Sequence, residues 1–545
     1  MVLKICKGVL LGLAGIFVAS AALACSPIGV GKGATVDGSV ITSHTCDGWY
    51  DNRIQIIPGQ TFKEGDMAPV YQEVCHGTRP TKPLVKVLDI PQVKKTYTYF
   101  HIGYPFMNEH QLIFGEDTWS GRDELYAKDG AFWIETLEIF GLQRAKTARE
   151  AIKVMGALAE KYGYGDGGET LIIADPKELW VFDICGPGML WTKDSGKPGA
   201  IWAARRVPDD HAVICSNRSR IGVIDFDDKE NFMYSKNVTD LAKEMKWWTP
   251  GTPFNFSKAY NPNPYGSDHY QSIREWRAFS LMAPSRNFKL TSQEGDYPFS
   301  VKPDKKMSVQ DVMAIFRDHL EGTDYDLTKG MAAGPFGNPN RWPTPKDVRP
   351  ENRKDKDWPR AISMFRCSYS FVAQCRDWLP DPIGGLLWFG EDAPDTTCYV
   401  PLYCGVTKVP AGWSQGKRHE FDPNSAWWAF NFVNNWAVLR WDAILKDVNL
   451  EQARWEKGFF SKQAEVEAKA EKLYKESPEK AVSYLTDYSY DAMEKVEKAW
   501  WTLAWNLVGK YQDGYVMSSE GKQEKVGYPT WWLKAVGFGE DFDKK

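Results

Sequence analysis

Three patterns of hydrophobic and polar positions follow one another along the chain. An apolar run, interrupted by Ser20, extends from Val9 to Ala22. Between about residues 25 and 410, short β-branched and apolar segments alternate with turns rich in Pro, Gly and Asp, a pattern typical of strands. After about residue 425, apolar residues recur every three to four positions, as on amphipathic helices. The patterns predict a mixed α and β region followed by a helical one.

Two pairs of predicted strands are joined by short turns. "TLIIAD" and "LWVFDI" make up most of residues 170–184, and "AIWAARRV" and "HAVICSN" make up most of residues 200–217. Each pair is typical of a β-hairpin. Neighbouring strands with short connections favour an antiparallel sheet, and a helix ahead of them favours α+β layers over a doubly wound parallel sheet.

Two helices carry clear start signals. "AKTAREAIKVMGALAEKYG" (145–163) has Thr147 and Glu150 at capping-box spacing. Ser477-Pro478 combines an N-cap residue with proline at the first helical position. We predict a helical subdomain over 425–515, and long loops over 255–300 and 322–360, which are rich in Pro, Gly, Asn and Asp.

The N-terminal apolar run has the features of a secretory signal. Lys4 and Lys7 precede it, and Ala22-Leu23-Ala24 supplies a small-x-small cleavage site. The alternative is a membrane anchor, but the run is shorter than the roughly 18 to 20 residues of a spanning helix. We therefore predict a signal peptide over 1–24, a main domain over 25–424 and a mainly helical C-terminal part over 425–545. No further stretch is apolar enough to span a membrane in the processed chain.

Composition narrows the classes of function. The net charge is −4 and no basic block is present, so nucleic-acid binding has no electrostatic support. The sequence contains no C-x-x-C, no H-E-x-x-H and no P-loop, and no metal or cofactor is predicted.

Ten cysteines are present, of which nine follow residue 24. In an exported chain this count predicts two or more disulfides, with Cys46 in one of them, although the alternative is that several are buried thiols.

Cleavage after Ala24 would make Cys25 the first residue of the processed chain. It would then carry a thiol and a free α-amino group, whose usual pKa of about 7.7–8.0 leaves part of it unprotonated at neutral pH. A thiol beside its own base is an activated nucleophile. The alternatives are a lipoprotein cysteine, for which leucine three residues earlier is missing, and an incidental disulfide cysteine.

The residues after Cys25 add a family resemblance. "CSPIGVGKGATVDGSVITSHTCD" (25–47) resembles the start of the C69 peptidases, the dipeptidase family of N-terminal nucleophile hydrolases. Further blocks in the family's order are "MNEHQLIFGEDTWSGRDEL", "QRAKTAREAIKVM", "GETLIIADPKELWVFDICGPG", "RVPDDHAVICSNRSRI", "GGLLWFGEDAPDTTCYVPLYCGV" and "SAWWAFNFVNNWA". The resemblance covers roughly residues 25–440.

The resemblance implies a four-layer αββα sandwich in which the thiol of Cys25 attacks an amide carbonyl and forms an acyl-thioenzyme. Asp47 matches the family's aspartate and is expected to orient the α-amino group. His44 stands where relatives carry arginine, and we expect it at the substrate-binding site.

Other candidate residues also come from the resemblance. Asn217 and Thr118 are the expected oxyanion donors. Asn108 and Glu109 are alternatives for that role, with a structural role as the other interpretation, and Asn108 is also a substrate-binding candidate. Arg376 is a candidate for binding the substrate carboxylate or for a surface ion pair.

The sequence as a whole predicts an exported cysteine dipeptidase of the periplasm or the extracellular space. It would act on small peptides, need no cofactor and be compatible with a homo-oligomer. The alternatives are an acylase cutting N-acyl amides on the same fold and a non-catalytic lipoprotein anchored at Cys25. A second nucleophile motif, G-x-S-x-G at 412–416, lacks the strand and helix that a nucleophile elbow requires.

Overall fold

A computed structural model describes residues 25–262, 270–291, 297–342, 358–524 and 527–538. The predicted signal peptide, residues 1–24, lies outside the described residues. The described strands in chain order are β1 Ile28–Val30, β2 Val40–Asp47, β3 Gln55–Ile57, β4 Met67–Gln72, β5 Val85–Pro91, β6 Tyr99–His101, β7 Met107–Asn108, β8 Ile113–Thr118, β9 Glu169–Ala174, β10 Leu179–Cys185, β11 Ile201–Arg206, β12 Ala212–Ile214, β13 Phe232–Tyr234, β14 Cys367–Cys375, β15 Leu386–Glu391, β16 Val400–Tyr403, β17 Val516–Met517 and β18 Gln523–Glu524.

The described α-helices begin at residue 134, and the two longest begin after residue 440. The described helices are α1 Ile134–Arg144, α2 Ala148–Tyr162, α3 Asp240–Glu244, α4 Phe256–Tyr260, α5 Ser272–Met282, α6 Val309–Phe316, α7 Asp381–Gly384, α8 Ala426–Ala437, α9 Trp441–Glu476, α10 Pro478–Lys510 and α11 Thr530–Ala535. No helix among the described ranges is long and apolar enough to cross a membrane.

Two antiparallel sheets form the centre of the molecule. One has six strands in the order β12-β1-β2-β14-β15-β16, and the other has eight in the order β13-β11-β10-β9-β8-β7-β6-β3. The sheets pack face to face, with β2 against β8 and β9. Strand β2 is buried along its whole length, because it is central in its sheet and covered by the other sheet.

Helices contact both sheets. Helices α1 and α2 contact strands of the eight-stranded sheet, and α5 and α6 contact strands of the six-stranded sheet. Helices α8, α9 and α10 form the C-terminal helical region and pack against β15 and β16. The predicted mixed α and β fold with antiparallel sheets and a C-terminal helical region is confirmed, whereas the domain boundary at residue 425 stays a prediction.

Short sequence patterns correctly predicted the start of two helices and one hairpin. Helix α2 begins after Thr147, whose side chain accepts a hydrogen bond from the Glu150 amide. Helix α10 begins at Pro478 with Ser477 as its N-cap residue. Strands β9 and β10 form the expected hairpin.

The second expected hairpin is wrong, since β11 joins the eight-stranded sheet and β12 pairs with β1 in the other sheet. The predicted loop over 255–300 is also partly wrong, because it contains α4 and α5.

Candidate active site

The pairing of β1 determines what surrounds Cys25. Strand β1 runs antiparallel between β2 and β12. When these registers are extended to the residues just before β1, Cys25 lies opposite Cys46 of β2 on one side. On the other side it lies opposite Asn217, which follows β12. The same strand pairing therefore brings together residues that are 192 positions apart in the sequence.

Cys25 is completely buried and is held at both its side chain and its backbone. Its Sγ donates a hydrogen bond to Glu116 Oε2 at 3.2 Å, and its carbonyl oxygen accepts one from Arg274 Nη1 at 2.7 Å. Burial raises the pKa of the Cys25 thiol well above its usual value, and contact with Cys46 and the charge of Glu116 raise it further. The group is therefore a thiol that needs a base before it can attack a carbonyl.

Glu116 reaches Cys25 from the opposite sheet. It lies on β8, where the preceding residue, Gly115, faces the backbone of β2 so closely that a Cβ would overlap the carbonyl oxygen of Ser43. Glycine at this position allows the two sheets to approach. The hydroxyl of Thr118 donates to Glu116 Oε1 at 2.9 Å, which leaves Oε2 directed toward Cys25.

His44 on β2 completes a three-residue group with Cys25 and Glu116. Its Nε2 lies 3.3 Å from Glu116 Oε2 and makes no hydrogen bond to any other residue in the part of the chain that the structure describes. The ring is buried, with edge-on contacts to Tyr104, Tyr369 and Phe371. Burial disfavours the Glu116 carboxylate, but the hydrogen bond and charge of His44 outweigh it and lower the Glu116 pKa.

Asp47 ends β2 in a buried ionic environment. Its Oδ2 accepts hydrogen bonds from Arg360 and from the hydroxyl of Thr45, and Arg366 donates to its backbone carbonyl. Burial raises the pKa of Asp47 despite the nearby arginines, and its charge acts on the Cys25 thiol. Its Oδ1 has no hydrogen-bond partner among the described residues. The carboxylate thus has one oxygen fixed and one open to a further donor.

One guanidinium group connects Cys25 to Asn217. Arg274 on α5 donates to the Cys25 carbonyl oxygen, to Ser26 Oγ at 3.0 Å, to the Ser216 carbonyl oxygen at 3.0 Å and to Asn217 Oδ1 at 2.8 Å. Burial lowers the pKa of Arg274 to about 10, with the nearby charge of Arg360 as a second cause, so the group stays charged at neutral pH.

Asn217 is fixed in an unusual backbone conformation. Its φ of 63° lies in the left-handed region, which asparagine tolerates better than most residues. Its amide donates to Asp117 Oδ2 at 2.6 Å, and its Nδ2 donates to the Thr118 carbonyl oxygen at 2.6 Å. Asn217 and Thr118, which the sequence proposed as oxyanion donors, are therefore adjacent to each other and linked to Cys25 through Arg274 and Glu116.

A sequence model described as "Peptidase family C69" matches residues 24–454, which is most of the chain. The chain belongs to peptidase family C69. The match begins beside Cys25 and includes the residues described above.

Curated relatives are more distant and carry dipeptidase names. The chain is 26% identical over 393 residues to "Probable dipeptidase" of Latilactobacillus sakei, covering 70% of this chain and 74% of the relative. It is 25% identical over 422 residues to "Dipeptidase A" of Lactobacillus helveticus, covering 74% and 80%. Similarity to "Probable dipeptidase B" of Streptococcus pyogenes serotype M1 is 22% over 516 residues, or 91% of this chain and 95% of the relative.

Two residues of this C69 peptidase that were predicted to bind substrate, Asn108 and Arg376, form contacts within the protein instead. Asn108 donates to the carbonyl oxygens of Leu142 and Ala145 and accepts from two backbone amides, which gives it a structural role near the end of α1. Arg376 forms an ion pair at 2.6 Å with Glu467 of α9 and donates to two carbonyl oxygens of α7. The predicted contact of Arg376 with a substrate carboxylate is not supported. The alternative of an ion pair is found, but the pair is buried rather than at the surface.

Sequence reasoning missed three charged residues of the site. Glu116 lies inside a block that signalled the family, in "GEDT", but only its contact with Cys25 reveals its position in the site. Arg274 and Arg360 lie in the stretches that were expected to be long loops. Long loops are often functional, so the loop-like composition of these stretches indicated a functional region. It did not identify either arginine.

The expected disulfides are not formed. All nine described cysteines are buried free thiols, Cys46 included. Burial raises the pKa of Cys46, as it does for its neighbour Cys25. The alternative of buried thiols therefore fits the structure better than the disulfide framework.

The Gly412–Gly416 motif and a separate cavity lie outside the site. Ser414 follows a 3₁₀ turn at Ala411–Trp413, and the next helix begins only at Ala426, so the described chain has no nucleophile elbow there. A cavity of about 690 Å³ lies along α9 and α10. None of its lining residues belongs to the group around Cys25.

Proposed function

We propose that this C69 peptidase is an exported dipeptidase that uses Cys25 as its nucleophile. Residues 1–24 would be removed as a signal peptide, and the free α-amino group of Cys25 would serve as the base. The observation that carries the proposal is the placement of Cys25 among Glu116, Asp47 and Asn217 in a chain whose match to the family begins at residue 24.

The reaction would proceed through an acyl-thioenzyme. The α-amino group takes the proton of the Cys25 thiol, and the sulfur attacks the carbonyl carbon of the peptide bond. The tetrahedral intermediate collapses when its C–N bond breaks and the leaving amine takes the proton. Water then attacks the thioester, which releases the acid and restores the thiol. Hydrogen-bond donors near Asn217 would stabilise the negatively charged oxygen of the tetrahedral intermediates in both steps.

Asp47 suits the charge that appears during the first step. When the α-amino group takes the thiol proton, it becomes an ammonium group that needs an acceptor. Oδ1 of Asp47 has no hydrogen-bond partner among the described residues, while Arg360 holds Oδ2. An acceptor fixed before the reaction avoids the cost of reorganising solvent around the new charge.

The arrangement of layers supports the fold that the resemblance implied. Two face-to-face antiparallel sheets, each contacted by helices, are compatible with an αββα sandwich of the N-terminal nucleophile class. In the proposal, Cys25 lies at the start of a strand of the central layers, where it is surrounded by residues of both sheets.

The dipeptide class of substrate comes from the relatives. The three proteins compared above are named dipeptidases, and the matches cover 70%, 91% and 74% of this chain. No observation favours the acylase alternative. The lipoprotein alternative requires a diacylglyceryl thioether at Cys25, which the N-terminal mass of the processed protein distinguishes from a free thiol.

The test uses the exported, processed protein and its N-terminal mass. Cys25→Ala should abolish dipeptide hydrolysis while the protein folds, whereas Cys185→Ala, the same change at another buried cysteine on β10, should affect stability alone. A protein with an additional residue kept before Cys25 should lose activity by about 10²-fold or more, the usual contribution of a general base. Near wild-type turnover in Cys25→Ala, or full activity with the extra residue present, would reject the mechanism.

A further inference from the structure

Cys25, His44 and Glu116 form a compact set of metal-ligating atoms. The Cys25 Sγ, the His44 Nε2 and a Glu116 carboxylate oxygen all lie within 4.8 Å of one another, and all three side chains are buried. They come from three separate segments, so no spacing motif in the sequence indicates them. Thiolate, imidazole and carboxylate are the three ligand types that bind zinc in proteins.

The spacing of the donors is close to that of a tetrahedral site. With usual zinc bond lengths, neighbouring ligand atoms are about 3.4–3.6 Å apart. Glu116 Oε2 lies 3.2 Å from Cys25 Sγ and 3.3 Å from His44 Nε2. These two distances are within a few tenths of an ångström of the tetrahedral values, and the third, from Cys25 Sγ to His44 Nε2, is below 4.8 Å.

His44 faces the same carboxylate oxygen that Cys25 contacts. Its Nε2 lies 3.3 Å from Glu116 Oε2, and the side chain is only 1% exposed. The ring nitrogen makes no hydrogen bond to any other described residue. A cation between the imidazole and the carboxylate would therefore displace only this one contact of Nε2.

The surroundings of Glu116 also fit a ligand. The Thr118 hydroxyl binds Oε1, so Oε2 is the oxygen left for a cation. Such contacts to the second oxygen orient a metal-binding carboxylate. Gly115 allows the sheets to approach closely enough for β2 and β8 to contribute to the same site.

We propose that Cys25, His44 and Glu116 bind one zinc-class divalent cation and that this cation reversibly inactivates the enzyme. The S–H bond of Cys25 breaks, a sulfur–metal bond forms and the proton passes to solvent, with no change of oxidation state. His44 and Glu116 supply one lone pair each. The binding step rests on the described donors alone, whereas the inactivation rests on the proposed function, because it requires Cys25 to be the nucleophile.

The binding experiment uses Co²⁺ with the purified processed protein. A thiolate-to-cobalt charge-transfer band should saturate at one Co²⁺ per chain and disappear when Zn²⁺ displaces it. Cys25→Ser should abolish the band, and His44→Gln and Glu116→Gln should each weaken Co²⁺ binding by more than about 100-fold, which exceeds the usual effect of an outer-shell partner. His211→Gln, at a histidine that contacts Ser300 instead, is the matched control and should bind like wild type.

The inhibition experiment separates this proposal from the proposed function. Dipeptide hydrolysis should fall as Zn²⁺ fills the site and return when a chelator removes it. An active enzyme that shows no cobalt band and no inhibition by Zn²⁺ would overturn the metal site and leave the dipeptidase proposal standing. A cobalt band that persists with equal affinity in His44→Gln and Glu116→Gln would also overturn it, since Cys25 would then bind the metal without them. A normal band in a protein that hydrolyses no dipeptide would support the binding site and reject its role in inactivation.

Discussion

Replacing Arg274 should disconnect the nucleophile from the proposed oxyanion region. The guanidinium group binds the carbonyl oxygens of Cys25 and Ser216 and the side-chain oxygens of Ser26 and Asn217. Arg274→Met keeps most of the volume of the side chain but removes every one of these donors. We expect both the stability of the fold and the rate of catalysis to fall.

The size of each effect follows from the contacts. Five acceptors, counting the carbonyl oxygen of Tyr270 that Nε contacts at 3.1 Å, would lose a charged donor. Breaking a buried charged network of this kind usually costs about 3–5 kcal/mol of unfolding free energy. Catalysis should fall by about 10²-fold in kcat/KM, because a shift of about 1 Å between reacting groups has that effect. Arg274→Lys keeps the charge but not the planar fork, so it cannot reach both Cys25 and Asn217 and should recover stability better than activity.

The assay compares two arginines of the same helix. Arg277 also lies on α5, but its ion pair is with Asp318 at 2.6 Å, outside the group around Cys25. Unfolding in urea gives the stability of each variant, and kcat/KM with a dipeptide is measured under conditions where each is folded. Arg277→Met should lower stability with little change in kcat/KM. Equal kcat/KM for folded Arg274→Met and wild type, or equal losses of kcat/KM in both methionine variants, would refute the positioning role of Arg274.

Two pH-dependent predictions accompany this one. Activity of wild type should rise toward alkaline pH as the α-amino group of Cys25 loses its proton. Asp47→Asn removes the charge that favours the protonated amine, so kcat/KM should fall by about 10²-fold and this rise should move to lower pH. Profiles of kcat/KM against pH that superimpose for the two proteins would exclude contact between Asp47 and the titrating group. Burial disfavours charged His319, but its ion pairs with Asp395 and Glu321 raise its pKa to about 9. The pKa of His319 is higher in the folded protein than in the unfolded chain, where it is about 6.5. The ion pairs of His319 therefore stabilise the fold by roughly 3 kcal/mol below about pH 6.5, and this contribution is lost as the pH rises through 9. The unfolding free energy should therefore decline over that window in wild type and much less in His319→Gln, and parallel curves would contradict the prediction.

Local sequence determined the elements that depend on neighbouring residues. The Thr147 cap, the Ser477-Pro478 start and the β9–β10 hairpin are short-range features, because the residues that specify them lie within a few positions of each other. The block that starts at Cys25 likewise carried the family resemblance and singled out Cys25 and Asp47 as candidate site residues. These inferences needed no information about packing.

Only the tertiary structure decided which residues meet at Cys25. Strands β11 and β12 resemble a hairpin in sequence, yet they belong to different sheets, and the pairing of β12 with β1 carries Asn217 to the site. Glu116 arrives through sheet-to-sheet packing, and Arg274 arrives on a helix within a stretch that resembles a loop. The cysteines, which by count suggested disulfides, are instead separate buried thiols. The physical reason is that strand partners and buried charges are selected by contacts between distant segments, whereas periodicity and capping record only the preferences of adjacent residues.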